Sequence, residues 1–176
     1  MTACSEDKQR SVTIREPRPL TTLDSQTTTQ PQAAPPLANE DYRYTKPSNW
    51  TKQTPTSFRK LNFSFGSDGE AYLSESRGGI LPNVNRWLNQ FGANAISSKE
   101  ELSTITILGH TGYLTTASGS FKGMNKVNSQ ANYKLLGAIV EINGALITVK
   151  MTGPLEEVTK QESAFRGFCQ SLQFNH

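Results

Sequence analysis

The chain has 176 residues, room for one ordinary domain, and carries 18 Lys plus Arg against 15 Asp plus Glu, a formal net charge of +3. That excess is spread along the sequence, whereas a nucleic-acid surface concentrates Lys and Arg on one stripe to displace counterions, so nucleic acid is not an expected partner. No stretch approaches the roughly 18 apolar residues of a membrane-spanning helix.

The chain begins Met1-Thr2-Ala3-Cys4-Ser5. Small residues before a cysteine resemble the end of a bacterial lipoprotein signal, in which the cysteine becomes lipid-modified and N-terminal. A chance cysteine in a polar N-terminus is the alternative. With Cys4 carrying lipid, Cys169 has no disulfide partner and is expected to behave as a small buried apolar residue. Residues 5–40 contain no aromatic side chain and are rich in Thr, Gln, Pro and Ala. Such a segment buries too little apolar surface to offset the entropy of ordering it, so residues 1–40 read as a disordered tether. A polar linker of about 36 residues reaches about 30–35 Å on average. Tyr42, Tyr44 and Trp50 then change the composition, and residues 41–176 read as a single globular domain.

Within that domain, residues 58–65 alternate Leu61, Phe63 and Phe65 with Asn62 and Ser64, the period of a half-buried strand. Gly66-Ser67-Asp68-Gly69 supplies a turn into a second strand over residues 70–76. After Gly78-Gly79, a helix is predicted from Pro82, with Val84, Trp87, Leu88 and Phe91 on one apolar face and Gly92 ending it. Ser98 and Glu101 match a capping box. Strands are predicted near residues 104–108 and 112–117, and the Gly-, Ser- and Asn-rich residues 118–132 read as a long loop. Asn143-Gly144 marks a type I′ hairpin between two alternating strands. One closing helix is predicted over residues 155–172, with Ala164, Phe165, Phe168, Cys169 and Leu172 on its buried face. Strands joined by tight turns, with helices to cover them, make an α+β fold with an antiparallel sheet.

Two segments carry a family resemblance. Gly78-Gly79-Ile80-Leu81-Pro82-Asn83-Val84-Asn85-Arg86-Trp87-Leu88-Asn89-Gln90 resembles the GG-x-x-x-NVNRW-x-x-Q signature of uncharacterised lipoproteins of planctomycete and verrucomicrobial bacteria. The stretch from Lys150-Met151-Thr152-Gly153-Pro154 through Gln161, Phe165 and Ser171-Leu172 resembles that family's ending and the C-terminal arrangement of PsbP-like domains. Leu88 departs from the second basic residue expected after the tryptophan. The resemblance implies a PsbP-like α/β/α sandwich with a central antiparallel sheet. Proteins of that fold mostly act as binding or assembly modules.

The helix face opposite the apolar one is unusual, since it carries amides where Glu and Lys are common. Arg77, Asn83, Asn85, Arg86 and Gln90 are the candidate recognition residues, because Arg offers a planar fork for a carboxylate or phosphate and amides both donate and accept. The same side chains can instead pin the Gly78-Gly79 loop. No catalytic group is assigned: His110 sits in a Gly-His-Thr-Gly turn, and Glu156-Glu157 read as charges favourable at a helix N-terminus. No Walker, dinucleotide or metal-ligand motif is present, so no cofactor or metal is expected. The reading that results is an envelope lipoprotein, anchored through Cys4 at the periplasmic face of the outer membrane. Its domain binds an envelope protein or a small anionic ligand. The competing reading is an enzyme with an Arg/Asn/Gln site acting on envelope or glycan material.

Overall fold

A computed structural model describes residues 41–123 and 129–175. Cys4 and the tether expected over residues 1–40 lie outside the described residues.

Nine strands and three α-helices are described: β1 (Tyr42–Arg43), β2 (Thr51–Lys52), β3 (Leu61–Phe65), β4 (Gly69–Ser76), α1 (Ile80–Asn89), β5 (Ser103–Ile107), β6 (His110–Phe121), β7 (Gln130–Ile142), β8 (Ala145–Pro154), α2 (Leu155–Lys160), α3 (Glu162–Ser171) and β9 (Gln173–Phe174). Strands β2 to β8 form one seven-stranded antiparallel sheet in the order β2-β3-β4-β8-β7-β6-β5. The short strands β1 and β9 pair separately.

Alternation along each strand divides the side chains between two layers. Leu61, Phe63, Phe65, Leu73, Val149 and Met151 point one way and bury against Val158, Phe165, Phe168 and Cys169 of α2 and α3. Tyr42 and Trp50 complete that layer, with the Trp50 indole edge donating to Gln161 Oε1 at 3.1 Å. Leu135, Ile139 and Leu146 point the other way and bury against Ile80, Val84, Trp87 and Leu88 of α1 and Phe91 just after it. The protein is therefore an α+β sandwich with helices on both faces of a central antiparallel sheet, the arrangement the PsbP-like resemblance implies. Cys169 is fully buried, and burial pushes its thiol pKa up, as suits an inert core residue.

Local signals decide several joints. Asn143 and Gly144 both adopt positive φ, 52° and 76°, the type I′ geometry that turns β7 into β8. Ser98 and Glu101 form the expected capping box around a single 3₁₀ turn, Lys99–Glu101.

Three predicted boundaries differ. Helix α1 starts at Ile80, not Pro82, because a first-turn proline gives up only an N–H that has no helical partner anyway. The closing helix is two helices, broken at Gln161, whose side chain is held by Trp50. Much of the loop expected over residues 118–132 belongs to β6 and β7, which pair from Tyr113↔Ile139 to Phe121↔Gln130 with a bulge between Gly119 and Phe121. Ladder hydrogen bonds and the burial of Phe121 and Tyr133 outweigh the turn-like composition there.

Trp87 rests on β7 where that strand has no side chain. A Cβ built on Gly137 would stand 2.7 Å from the indole ring. Gly137→Ala is therefore expected to destabilise the domain by about 1–3 kcal/mol through overpacking. Urea denaturation followed by tryptophan fluorescence measures this, and an unshifted midpoint would count against close Trp87–β7 packing.

Candidate functional site

The two faces of the sheet are not equally roofed. Helices α2 and α3 and the segment from Tyr42 to Trp50 close one face. On the other, α1 covers β6, β7 and the near end of β8, leaving Ser64 of β3, Glu70 and Tyr72 of β4 and Lys150 and Thr152 of β8 as the floor of a cavity of about 550 Å³. The β3–β4 turn, Arg59, Gln90, Phe121, Gln130 and Tyr133 form its walls.

Lys150 is the unusual member. It lies mid-strand, bracketed by Val149 and Met151 on the opposite face, and is 5 % exposed. Its ammonium donates to Gln90 Oε1 at 2.6 Å and lies 5.7 Å from the Phe121 ring centroid. Among the described residues, no carboxylate stands within ion-pair distance of it. Burial, with Arg59 and Arg86 adding to it and Glu70 opposing, lowers its pKa to about 8.

A second network holds the adjoining wall. Arg59 pairs with Glu70 at 3.0 Å, donates to Asn62 at 3.1 Å and lies 4.1 Å above the Tyr72 ring. Thr152 donates to the other Glu70 oxygen at 3.2 Å. Burial, then the Glu70 charge, pushes the Tyr72 phenol up to about 12. Across the cavity, Phe121 stacks on Tyr133, whose hydroxyl donates to Asp68, and Gln130 bridges both partners. Burial and the Asp68 contact hold that phenol protonated, with its pKa pushed up to about 12.

The five residues singled out from sequence are placed differently from one another. Gln90 lines the cavity and holds Lys150. Arg86 is exposed on α1, and its charge reaches both Lys150 and Tyr72. Asn83 is buried; it donates to the Gly79 carbonyl at 2.9 Å and accepts from Arg86 at 2.5 Å. Asn85 accepts from the Ile96 N–H and donates to its carbonyl, both at 2.9 Å, and so fastens the loop after α1. Arg77 is exposed just before the helix and does not line the cavity. His110 is exposed at the β5–β6 turn.

Lys150, Arg59, Glu70, Tyr72, Asp68 and Tyr133 were not singled out from sequence. One signal for Lys150 was available: it is flanked by Thr148 and Thr152 at the outward positions of a strand that helices must cover on both sides. A lysine there reaches water only where the helices leave the sheet uncovered.

No protein-family profile matches the sequence, and no curated protein matches it. Among solved structures, the chain is similar to a Bacteroides thetaiotaomicron protein (TM-score 0.47, 12 % identity, 80 % of this chain and 47 % of that one). The chain thus spans about half the length of that protein. It is also similar to LpqN, involved in cell envelope biogenesis of Mycobacterium tuberculosis (TM-score 0.44, 14 % identity, 77 % of this chain and 83 % of that one). A third likeness is to the cyanobacterial PsbP of Synechocystis (TM-score 0.46, 13 % identity, 77 % of this chain and 88 % of that one).

The lowered pKa of Lys150 has a consequence for stability. Between its folded value near 8 and its ordinary 10.5, the unfolded chain binds more protons than the folded one, so stability rises with pH. Above the ordinary tyrosine value of 10, Tyr72 and Tyr133 act in the opposite sense, because the unfolded phenols ionise first. The melting temperature should therefore climb from pH 8 to about 9 and then fall, because the unfolded Cys169 thiol, ordinarily near 9, and the unfolded phenols ionise before their buried counterparts. Calorimetry on Lys150→Met should show the climb removed, and an unchanged profile would mean that Lys150 is not desolvated.

Proposed function

We propose that the domain is the binding module of a cell-envelope lipoprotein and that its cavity takes a small anionic ligand. The observation that carries this reading is the buried Lys150 ammonium, hydrogen-bonded to a neutral amide and, among the described residues, not ion-paired with a carboxylate, at the floor of a solvent-open cavity. Arg59 and Arg86 add positive charge beside it, and Glu70 offsets part of this through its pair with Arg59. A carboxylate or phosphate entering there would supply the counter-charge that Lys150 lacks. The aromatic wall of Phe121 and Tyr133 gives the ligand's apolar part a surface within a mainly polar cavity. Asn83 acts as a positioning residue, because its side-chain oxygen holds Arg86.

Isothermal titration with phosphate and with glucuronate at pH 7 tests the pocket. At least one should bind. Lys150→Met should weaken that binding about tenfold or more, since a hydrogen bond to a charged group contributes about 1.5–3 kcal/mol. Arg86→Ala should weaken it too, with a modest loss of melting temperature because the buried Asn83 oxygen loses its donor. Absence of heat with both anions would remove the anion-pocket reading.

Membrane anchorage through Cys4 is part of the same proposal, supported by Thr2-Ala3-Cys4 and the aromatic-free segment that follows. A folded domain on such a tether stands clear of a lipid surface, free to meet a soluble ligand or an envelope protein. Intact-mass analysis of protein purified from native membranes should find a diacylglyceryl-modified Cys4 as the first residue. An unmodified Cys4, or a chain retaining residues before it, would refute the anchor.

A further inference from the structure

Lys150 has the surroundings of a reactive amine as well as those of a charge. It lies on a strand whose inner positions are all buried, so the amino group is held at one place on the cavity floor. Gln90 accepts one N–H and leaves the remaining valences directed elsewhere. The nearest carboxylate influence, Glu70, is engaged by Arg59 on one oxygen and by Thr152 on the other. The charged and titratable groups around Lys150 are Arg59 from the loop before β3, Asp68 from the β3–β4 turn, Glu70 and Tyr72 from β4 and Tyr133 from β7, all lining the cavity, with Arg86 acting from α1 outside it. Glu70 is taken up by Arg59 and Thr152 and Asp68 by Tyr133 and Gln130, so the positive charges of Arg59 and Arg86 disfavour a further cation at Lys150. Desolvation beside other cations is how a lysine becomes a nucleophile near neutral pH.

We propose that the Lys150 amine condenses with the carbonyl group of a small oxo-acid, an aldehyde or ketone bearing a carboxylate, to form an imine in the cavity. The Nζ lone pair attacks the carbonyl carbon, a C–N bond forms, and the carbonyl π pair moves to oxygen. A proton passes from nitrogen to that oxygen to give a carbinolamine. Loss of water then leaves the C=N bond. Amine and carbonyl become imine and water, with no oxidant or reductant consumed.

With its pKa near 8, the amine is half neutral at that pH, whereas an ordinary lysine at 10.5 is neutral in about one molecule in 300. The carboxylate preference rests on the anion pocket proposed above, with Arg59 in the cavity wall and the charge of Arg86 acting from α1. The amine chemistry does not rest on that reading.

Reductive trapping on the full chain tests this. Glyoxylate, with propionaldehyde as its neutral counterpart, is added with sodium cyanoborohydride at pH 8, and the modified lysines are mapped by peptide mass spectrometry. Lys150 should be labelled before the exposed Lys99 and Lys160, and faster by glyoxylate than by propionaldehyde. Gln90→Glu should restore the proton to Lys150 and slow its labelling about tenfold or more, with Lys99 and Lys160 unaffected. Circular dichroism checks that the variant is folded. Labelling of Lys150 no faster than of Lys99 and Lys160 with either aldehyde overturns carbonyl capture; anion binding seen by calorimetry would then still stand. Equal labelling by both aldehydes supports the amine chemistry and overturns the carboxylate preference.

Discussion

Helix α1 has ten residues and is about 15 Å long, whereas seven strands at their usual spacing span about 29 Å. One helix of that length cannot roof the whole face. The opposite face avoids the problem by using two helices and the aromatic segment around Tyr42 and Trp50, which together seal it. The uncovered part of the α1 face becomes the cavity, and every polar feature of the candidate site follows from that mismatch. Strand alternation sends Glu70, Tyr72, Lys150 and Thr152 into the gap because Ala71, Val149 and Met151 must point into the closed layer.

Within the gap, polar groups satisfy one another in sets of three. Arg59, Glu70 and Thr152 form one set, and Asp68, Gln130 and Tyr133 form another. Lys150 is different, because its partner is the neutral amide of Gln90. A buried cation answered by an amide carries a desolvation cost that a carboxylate would have reduced. Gln90 caps α1, and Asn85 and Asn83 fix the loop after that helix and the glycine before it. The helix is thus fastened at both ends while its last side chain holds the lysine. This ties the position of the amine to the docking of α1, so packing at Trp87 and chemistry at Lys150 depend on the same rigid element.

Much of the architecture was legible in the sequence, because the signals were local. The β3 alternation, the Asn143-Gly144 turn, the apolar stripe of α1 and the Ser98–Glu101 capping box each need only a few neighbouring residues. The errors came where distant contacts decide. Gln161 breaks the closing helix where it receives the Trp50 indole, a partner 111 positions away. Ser118 to Phe121 extend β6 because β7 offers a ladder and Phe91, just after α1, offers a ring contact for Phe121. Composition alone favours a loop at those residues.

The site divides in the same way. The sequence by itself pointed to the amide-rich face of α1, since Asn83, Asn85, Arg86 and Gln90 lie within eight residues and helical spacing relates them. It also determined the layers, because periods of two and of 3.6 sort side chains without reference to the rest of the chain. Only the tertiary structure decided that Gln90 faces Lys150, 60 positions on, and that Arg59, Glu70 and Tyr72 join them while Arg77 does not. Lysine in a strand reads as solvent-facing until the covering helix is in place. The charge environment of Lys150, and with it the chemistry of the cavity, depends on how far α1 reaches across the sheet, which no local pattern encodes.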